Sequence, residues 1–295
     1  MEFMKDGSQI RESLSSKEIM FASGSSGAFT RLVCQPFDVL KIRLQIQSGG
    51  QSSLYRSGAD LIREEGLRGL WKGHSSAQIL SIVYGLGQFG VYGCLSKQFN
   101  DSSGLTTFAI GNAAGLTATL FSYPFDVVRT RLVAQRLKSN YRGTLDAFVK
   151  IGGSDGKILF RGFLPTLLSQ MPYSGFQFFF YKFFFSLWRD FLGDESSGTL
   201  FWSGSTVCSV LSGLTSKLIV FPLDTVKKQM QVSGFSNYGG HKRILPTVVY
   251  LWKSGGLRRF YCGLTPGLLK AMATTCVNFV SYENFCAIIW RYKSS

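Results

Sequence analysis

Charged residues are scarce in this sequence of 295 residues. Lys, Arg, Asp and Glu together make up 17% of the chain, whereas soluble domains usually contain about 25%. Acidic residues are the scarcer kind, because 17 Asp and Glu accompany 32 Lys and Arg. Hydrophobic residues reach 45% and aromatic residues 15%. This composition argues against an ordinary soluble domain and favours a membrane protein with a basic surface.

Residues that typically hold metals or perform catalysis are also few. His74 and His241 are far apart, and the cysteines show no short paired spacing of the kind that binds zinc or forms a redox dithiol. We find no nucleophile with a base, no phosphate loop and no metal-ligand cluster in the sequence. We therefore expect no enzymatic activity, no metal and no cofactor. The cysteines are Cys34, Cys94, Cys208, Cys262, Cys276 and Cys286.

Two further explanations of the basic charge lack their usual signatures. No zinc finger, basic zipper or RNA-binding motif is present, so we expect no nucleic-acid partner. Residues 1–18 mix Lys and Arg with four acidic residues, whereas mitochondrial presequences are poor in acids. The sequence therefore predicts a polar N-terminal tail over residues 1–18 and an internal targeting signal.

Long segments without charge are the main positive feature. Four segments contain no Asp, Glu, Lys or Arg, and each has the roughly 20 residues that span a hydrocarbon layer as a helix. They cover residues 73–96, 105–125, 162–181 and 196–216. Two more segments, 19–37 and 260–282, contain one base each. Their many Gly, Ser, Thr and Gln residues suggest helices with one wet face. A soluble protein with long buried helices is the alternative.

The basic residues are concentrated in three connecting segments. Of the 32 Lys and Arg, 21 lie within residues 38–72, 126–161 and 224–262. With six spans, these connectors all fall on one side of the membrane, and their positive charge assigns that side to the interior compartment. Both termini are then expected on the opposite side.

A proline motif repeats three times at nearly even intervals. Pro36, Pro124 and Pro222 are 88 and 98 residues apart, and each is followed two residues later by Asp and five residues later by Lys or Arg. Acid and base then share one face of a helix within a turn, and the proline is expected to bend the helix. A repeated unit of this length predicts three repeats, at residues 19–104, 105–195 and 196–295.

Each motif is followed by an amphipathic stretch, at residues 55–63, 141–150 and 244–252. A second repeated element comes after each of these stretches. It consists of glycine, then an aromatic residue, a base and a second glycine, and its third copy lacks the base and the preceding acid. Free N–H groups at such a helix start attract anionic headgroups. Cardiolipin binding and an ordinary helix cap both remain open. The candidates are Trp71, Lys72, Gly73, Phe160, Arg161, Gly162, Tyr261 and Gly263.

These two elements, repeated within six spans, resemble the mitochondrial carrier family over residues 19–291. The resemblance implies an all-α membrane protein with six tilted transmembrane helices in three pseudo-symmetric repeats and short amphipathic matrix helices. It also implies a multi-pass transporter of the mitochondrial inner membrane with both termini toward the intermembrane space. Because one chain holds the complete threefold bundle and needs no partner for it, we expect a monomer. A ring of ion pairs between neighbouring helices would close the matrix side: Asp38, Asp126 and Asp224 with Lys41, Arg129 and Lys227. Gln45 and Gln231, nine residues after their prolines, would brace this ring. Val133 occupies the equivalent position in the second repeat.

Family members often carry an aromatic residue, an acid and a base on the even-numbered helices, which close the opposite, cytoplasmic side. This pattern is less complete here. The matching stretches begin at Tyr92, Tyr181 and Tyr282, but only Glu283 keeps the acid and none keeps the base. We therefore expect apolar and aromatic packing to hold the cytoplasmic side, with few ion pairs.

Three bases inside neutral spans indicate an anionic substrate. Arg31, Lys217 and Lys270 each incur at least about 2.5–3.5 kcal/mol if unpaired at membrane depth, so they should face water or an anion. A diphosphate or triphosphate would suit three such cations; the alternative is snorkelling to the interface. The resemblance adds Leu80, Tyr84, Gln88, Ser169, Gln170 and Tyr173 as candidate substrate contacts.

Residues 71–89 resemble those of family members that carry thiamine pyrophosphate. The implied activity is import of thiamine pyrophosphate into the matrix by antiport against nucleotides. A nucleotide or coenzyme A carrier of the same fold is one alternative, and a proton-leak or non-transporting protein is another. Only the proton-leak or non-transporting class predicts no saturable exchange.

Overall fold

The computed structural model describes residues 14–47, 54–99, 104–135, 140–192, 198–235 and 243–294. Over these residues it contains helices and no strands, which confirms the all-α prediction. Each repeat has a long helix, a short helix and a second long helix. They are α1 Ser16–Ile46, α2 Leu54–Glu65, α3 His74–Gln98, α4 Gly104–Ala134, α5 Thr144–Ser154, α6 Phe163–Leu192, α7 Gly198–Val232, α8 Ile244–Phe260 and α9 Leu264–Ser294.

The six long helices have 25 to 35 residues and are long enough to cross a bilayer. Residues 67–98 and 204–232 are, by length and composition, apolar enough to cross a membrane. Large apolar side chains such as Leu86, Phe179 and Met272 are exposed, which suits contact with lipid.

The first helix begins earlier than the sequence predicts. Ser15 caps α1, and its backbone N–H donates to Glu18 Oε2 at 2.7 Å. Leu14 is buried in a small cluster with Ala22 and Cys286. Residues 14–18 therefore belong to the bundle and not to a tail, because this cap and cluster fix them against α1 and α9. The rest of the predicted tail, residues 1–13, lies outside the described residues.

The motif prolines lie inside continuous helices. Pro36, Pro124 and Pro222 are within α1, α4 and α7, and each of these helices ends ten residues later. The motif acid and base are therefore helical, as the sequence predicts. A bend at each proline remains a prediction.

The long helices pack in pairs that join neighbouring repeats: α3 with α4, α6 with α7, and α9 with α1. The three motif helices also meet one another at their C-terminal ends. Val39, Val128 and Val232 are fully buried there in one cluster, and the short helix α5 adds Ala147 and Ile151 to it. The bundle is thus closed at the end that carries the motifs and the basic connectors.

The second glycines of the three repeated elements lie against the next motif helix. Gly73, Gly162 and Gly263 all have positive φ, at 73°, 81° and 84°. A Cβ on Gly263 would stand 2.9 Å from the Lys41 carbonyl oxygen, and one on Gly162 would stand 3.0 Å from the Lys227 carbonyl. The absence of a side chain lets these backbones touch.

Gly263→Ala should therefore destabilise the protein more than Gly153→Ala. Gly263 has positive φ, which costs an L-residue about 1–2 kcal/mol, whereas Gly153 is helical within α5 and no atom lies within 4 Å of a Cβ built on it. Only the Gly263 variant adds a clash with backbone. Thermal unfolding of the two purified variants measures the difference, and equal midpoints would contradict the close approach.

Candidate functional site

Three ion pairs join the motif helices into a ring. Arg129 Nη2 of α4 lies 2.5 Å from Asp38 Oδ2 of α1. Lys227 Nζ of α7 lies 2.8 Å from Asp126 Oδ2 of α4. Lys41 Nζ of α1 lies 3.8 Å from Asp224 Oδ2 of α7, the longest of the three distances. The partners are those that the family resemblance implies, and each pair links two different repeats.

Each acid of the ring also meets a second cation. Lys270 of α9 lies 2.7 Å from Asp38, and Lys217 lies 3.3 Å from Asp224. Lys228 lies 2.9 Å from Asp126. Sequence reasoning missed Lys228, since the matching positions of the other repeats hold Ile42 and Thr130. The sequence feature that could have indicated this contact is the second base directly after Lys227.

The two predicted glutamine braces behave differently. Gln231 donates to Asp126 Oδ2 at 2.9 Å and accepts from Lys228 Nζ at 2.9 Å, so it contacts an ion pair directly. Gln45 instead donates to Thr225 Oγ1 at 3.4 Å. Val133 is buried in the core. Among the described residues, a glutamine thus contacts the charges of the ring at the Asp126 corner alone.

A central pocket of about 290 Å³ lies directly on this ring. Asp126, Asp224 and Lys227 form part of its lining, so the gate is also the pocket floor. Lys217 Nζ stands 5.9 Å from the centre of the Tyr173 ring, within reach of a cation–π contact. Six of the predicted substrate contacts line this pocket: Leu80, Tyr84, Ser169, Gln170, Tyr173 and Lys217.

The Gln170 side chain is held in place at the pocket wall. Thr119 Oγ1 donates to Gln170 Oε1 at 3.0 Å, and the Tyr84 hydroxyl is hydrogen-bonded to the same side chain. Because these contacts fix the amide and the tyrosine together, the wall presents a ring and an amide in a defined arrangement.

The remaining three predicted contacts line two other pockets. Arg31 and Lys270 border a pocket of about 590 Å³ between α1, α3 and α9, together with Asp38. Arg31 Nη1 donates to the Ala77 carbonyl at 3.0 Å. Gln88 borders a pocket of about 780 Å³, which shares Tyr84 and Gln170 with the central one. The three cations therefore line two different pockets, Arg31 and Lys270 the one and Lys217 the other.

The bases of the glycine elements make contacts inside the protein. Lys72 pairs with Glu65 at 2.7 Å, and Arg161 Nη1 donates to the Ser233 carbonyl at 2.7 Å. Trp71 Nε1 donates to the Leu32 carbonyl at 3.0 Å, and Phe160 is partly exposed. These contacts give the elements a structural role, and cardiolipin binding stays a prediction.

Aromatic packing occurs on two of the long helices that the sequence assigns to the opposite gate. Tyr181 stacks on Phe185 of α6 with ring centres 5.8 Å apart. Tyr282 and Phe285 of α9 pack against the cluster that contains Ala22. Closure of that side by such contacts stays a prediction.

Six long helices in three repeats, around a pocket whose floor is a ring of ion pairs, define a membrane carrier. The chain belongs to the mitochondrial carrier family. The profile described as "Mitochondrial carrier protein" matches residues 12–103, 100–191 and 198–293. This membership places the chain among transporters of the mitochondrial inner membrane.

Similar proteins carry a more specific name. The mitochondrial thiamine pyrophosphate carrier of Bos taurus is 32% identical, with 92% of this chain and 93% of that protein covered. That of Homo sapiens is 32% identical, with 92% of each chain covered. Mitochondrial thiamine pyrophosphate carrier 1 of Scheffersomyces stipitis is 33% identical, with 98% of this chain and 95% of that protein covered.

Proposed function

We propose that this protein imports thiamine pyrophosphate into the mitochondrial matrix by exchange for nucleotides, through alternating access. The names of the similar proteins support the substrate. The main structural support is Lys217, a base on the wall of the central pocket between an acid of the gate and the ring of Tyr173. A cation and an aromatic face together suit a ligand with a diphosphate and a cationic ring.

The charge balance of the pocket floor favours an anion. Six cations contact the three acids of the ring, so the ring as a whole has three positive charges in excess, although the part that lines the central pocket holds two acids and two bases. A diphosphate would offset this excess and accept charge-assisted hydrogen bonds. We assign it to Lys217, Lys270 and Arg31, which line two pockets in this closed structure and would contact one diphosphate only after the ring opens.

The organic part of the substrate would contact the pocket walls. The thiazolium ring is a cation and would stack on Tyr173 or Tyr84, as cations do on aromatic faces. The aminopyrimidine ring has donors and acceptors that match the amides of Gln170 and Gln88. The pocket of about 780 Å³, which Gln88 and Lys182 both border, would then hold the end of the ligand farthest from Lys217 and Lys270.

Substrate binding and gate opening would compete for the same lysines. Lys217 and Lys270 contact Asp224 and Asp38 in the closed gate, and phosphate oxygens would replace these carboxylates as their partners. The Lys217 and Lys270 side chains are 38% and 33% exposed, so their contacts with the ring contribute only about 0–1 kcal/mol each, as surface pairs do. Losing these two contacts to a phosphate would weaken the ring, beginning at the long Lys41–Asp224 pair. The closed end would face the matrix, with both termini toward the intermembrane space.

Competition during uptake tests the substrate assignment. Purified protein in liposomes takes up labelled thiamine pyrophosphate while one unlabelled compound at a time is added outside. We expect thiamine pyrophosphate to inhibit at lower concentrations than ADP, ATP or coenzyme A, and thiamine without phosphate to inhibit least. Stronger inhibition by a nucleotide or by coenzyme A would instead support one of those carriers, since the lysines alone suit any such phosphate.

A further inference from the structure

The motif helices end in a repeated pattern of contacts at the closed end of the bundle. In the first two repeats, the seventh residue after the motif proline is an arginine. Arg43 Nε donates to the Val133 carbonyl at 3.2 Å, and Arg131 Nε donates to the Gln231 carbonyl at 3.1 Å. Each acceptor is the ninth residue after the proline of the next motif helix. The contacts therefore follow the threefold repeat.

In the same two repeats, the base of the glycine element donates to a second carbonyl, two residues further along the next motif helix. Lys72 Nζ donates to the Gln135 carbonyl at 3.3 Å, and Arg161 Nη1 donates to the Ser233 carbonyl at 2.7 Å. Both acceptors are the eleventh residue after a motif proline. Carbonyl groups at a helix C-terminus have no partner within the helix and attract cations. These bases thus cap α4 and α7.

The third repeat lacks both bases, since Gln229 and Cys262 occupy their positions. Gln229 Nε2 still donates to the Gln45 carbonyl at 2.8 Å, but it carries no charge. Cys262 cannot replace a lysine or arginine. By the threefold pattern, α1 would lack a cation at its C-terminal carbonyls.

Arg259, three residues before Cys262, fills this gap. It lies in the last turn of α8, after a break in the helix at Gly255 and Gly256, and is 6% exposed. Its guanidinium donates to the Leu44 carbonyl at 3.3 Å and the Gln45 carbonyl at 3.4 Å, and also to the Gln47 carbonyl. Gln45 and Gln47 are the ninth and eleventh residues after Pro36, so Arg259 reaches both carbonyls that two bases share in the other repeats.

We propose that Arg259 is a positioning residue that replaces the two missing bases and holds the end of α1 in the closed gate. The same end of α1 carries Lys41, which makes the longest ion pair of the ring, 3.8 Å from Asp224. A fixed helix end keeps this pair within reach. The proposal concerns the gate only and does not depend on which substrate is carried.

Relocating the charge tests the replacement. Arg259→Ala should lower the thermal unfolding midpoint and the exchange rate, whereas Arg258→Ala, which removes the exposed neighbour, should change neither. Adding Cys262→Arg to Arg259→Ala returns a base to its position in the other repeats and should restore both. Adding Ser254→Arg restores the net charge at an exposed position of α8 and should restore neither. Equal behaviour of the two double variants would overturn the proposal.

A double-mutant cycle tests the effect on the gate. If Arg259 positions α1, then Asp224→Asn should lower the unfolding midpoint less in the Arg259→Ala background than in the parent. Asp126→Asn, at a corner without α1, should cost the same in both backgrounds. Additive effects at both corners would overturn the positioning role, even if Arg259 contributes to stability. If Arg259→Ala does not fold, the same cycle with Arg259→Lys provides the comparison.

Discussion

Replacing Asp126 by Asn should reduce exchange to background and lower the free energy of unfolding by about 3–5 kcal/mol, the usual cost of breaking a buried ion pair from one side. Lys227 and Lys228 lie 2.8 and 2.9 Å from this carboxylate, and both are mostly buried. The amide would leave two buried cations uncompensated. Thermal unfolding and exchange in liposomes measure the two effects.

Asp224→Asn is the matched comparison at the weakest corner. Its lysines are 3.3 and 3.8 Å away, and 23% of its side chain is exposed, so water can compensate part of the loss. We expect a smaller loss of stability than for Asp126→Asn. An equal or larger loss would contradict the unequal gate that the distances describe.

Lys217→Gln should raise the concentration of thiamine pyrophosphate required for half-maximal exchange. A hydrogen bond to a charged group is worth about 1.5–3 kcal/mol, which corresponds to roughly a 10-fold to 150-fold change in affinity. The same change to Lys97, an exposed residue in the last turn of α3, is the control and should have no effect. Initial rates over a range of substrate concentrations measure the shift.

Lys270→Gln should differ from Lys217→Gln, because Lys270 also contacts the well-formed Asp38–Arg129 pair. We expect it to change both the apparent affinity and the maximal rate. Undiminished exchange by this variant would contradict the assignment of the diphosphate to these lysines.

The ring of ion pairs shows how much of the site can be predicted from the sequence. Spacing alone places Asp126 and Arg129 on one face of α4, yet in the structure each pairs with a residue of another helix. Pairing between different helices was predicted from the family resemblance and not from the spacing. Lys228 was missed because its contact depends on how closely α7 approaches α4, and nothing in the local sequence encodes that distance.

The pocket and the caps show the same limit. Arg31, Lys217 and Lys270 were recognisable as isolated charges in neutral spans, but the sequence could not show that Arg31 and Lys270 border a different pocket from Lys217. Arg259 was overlooked because the degraded third element has Cys262 at the position of the base. Only the geometry shows that a base three residues earlier reaches the same carbonyls.

Counter-exchange in liposomes tests the central claim most directly. Labelled thiamine pyrophosphate is added outside liposomes that contain the purified protein, with a nucleotide inside or with buffer alone. We predict saturable uptake that requires the internal nucleotide and is absent with the Asp126→Asn variant. Uptake of a labelled nucleotide without uptake of thiamine pyrophosphate, or no saturable uptake of either, would contradict the account.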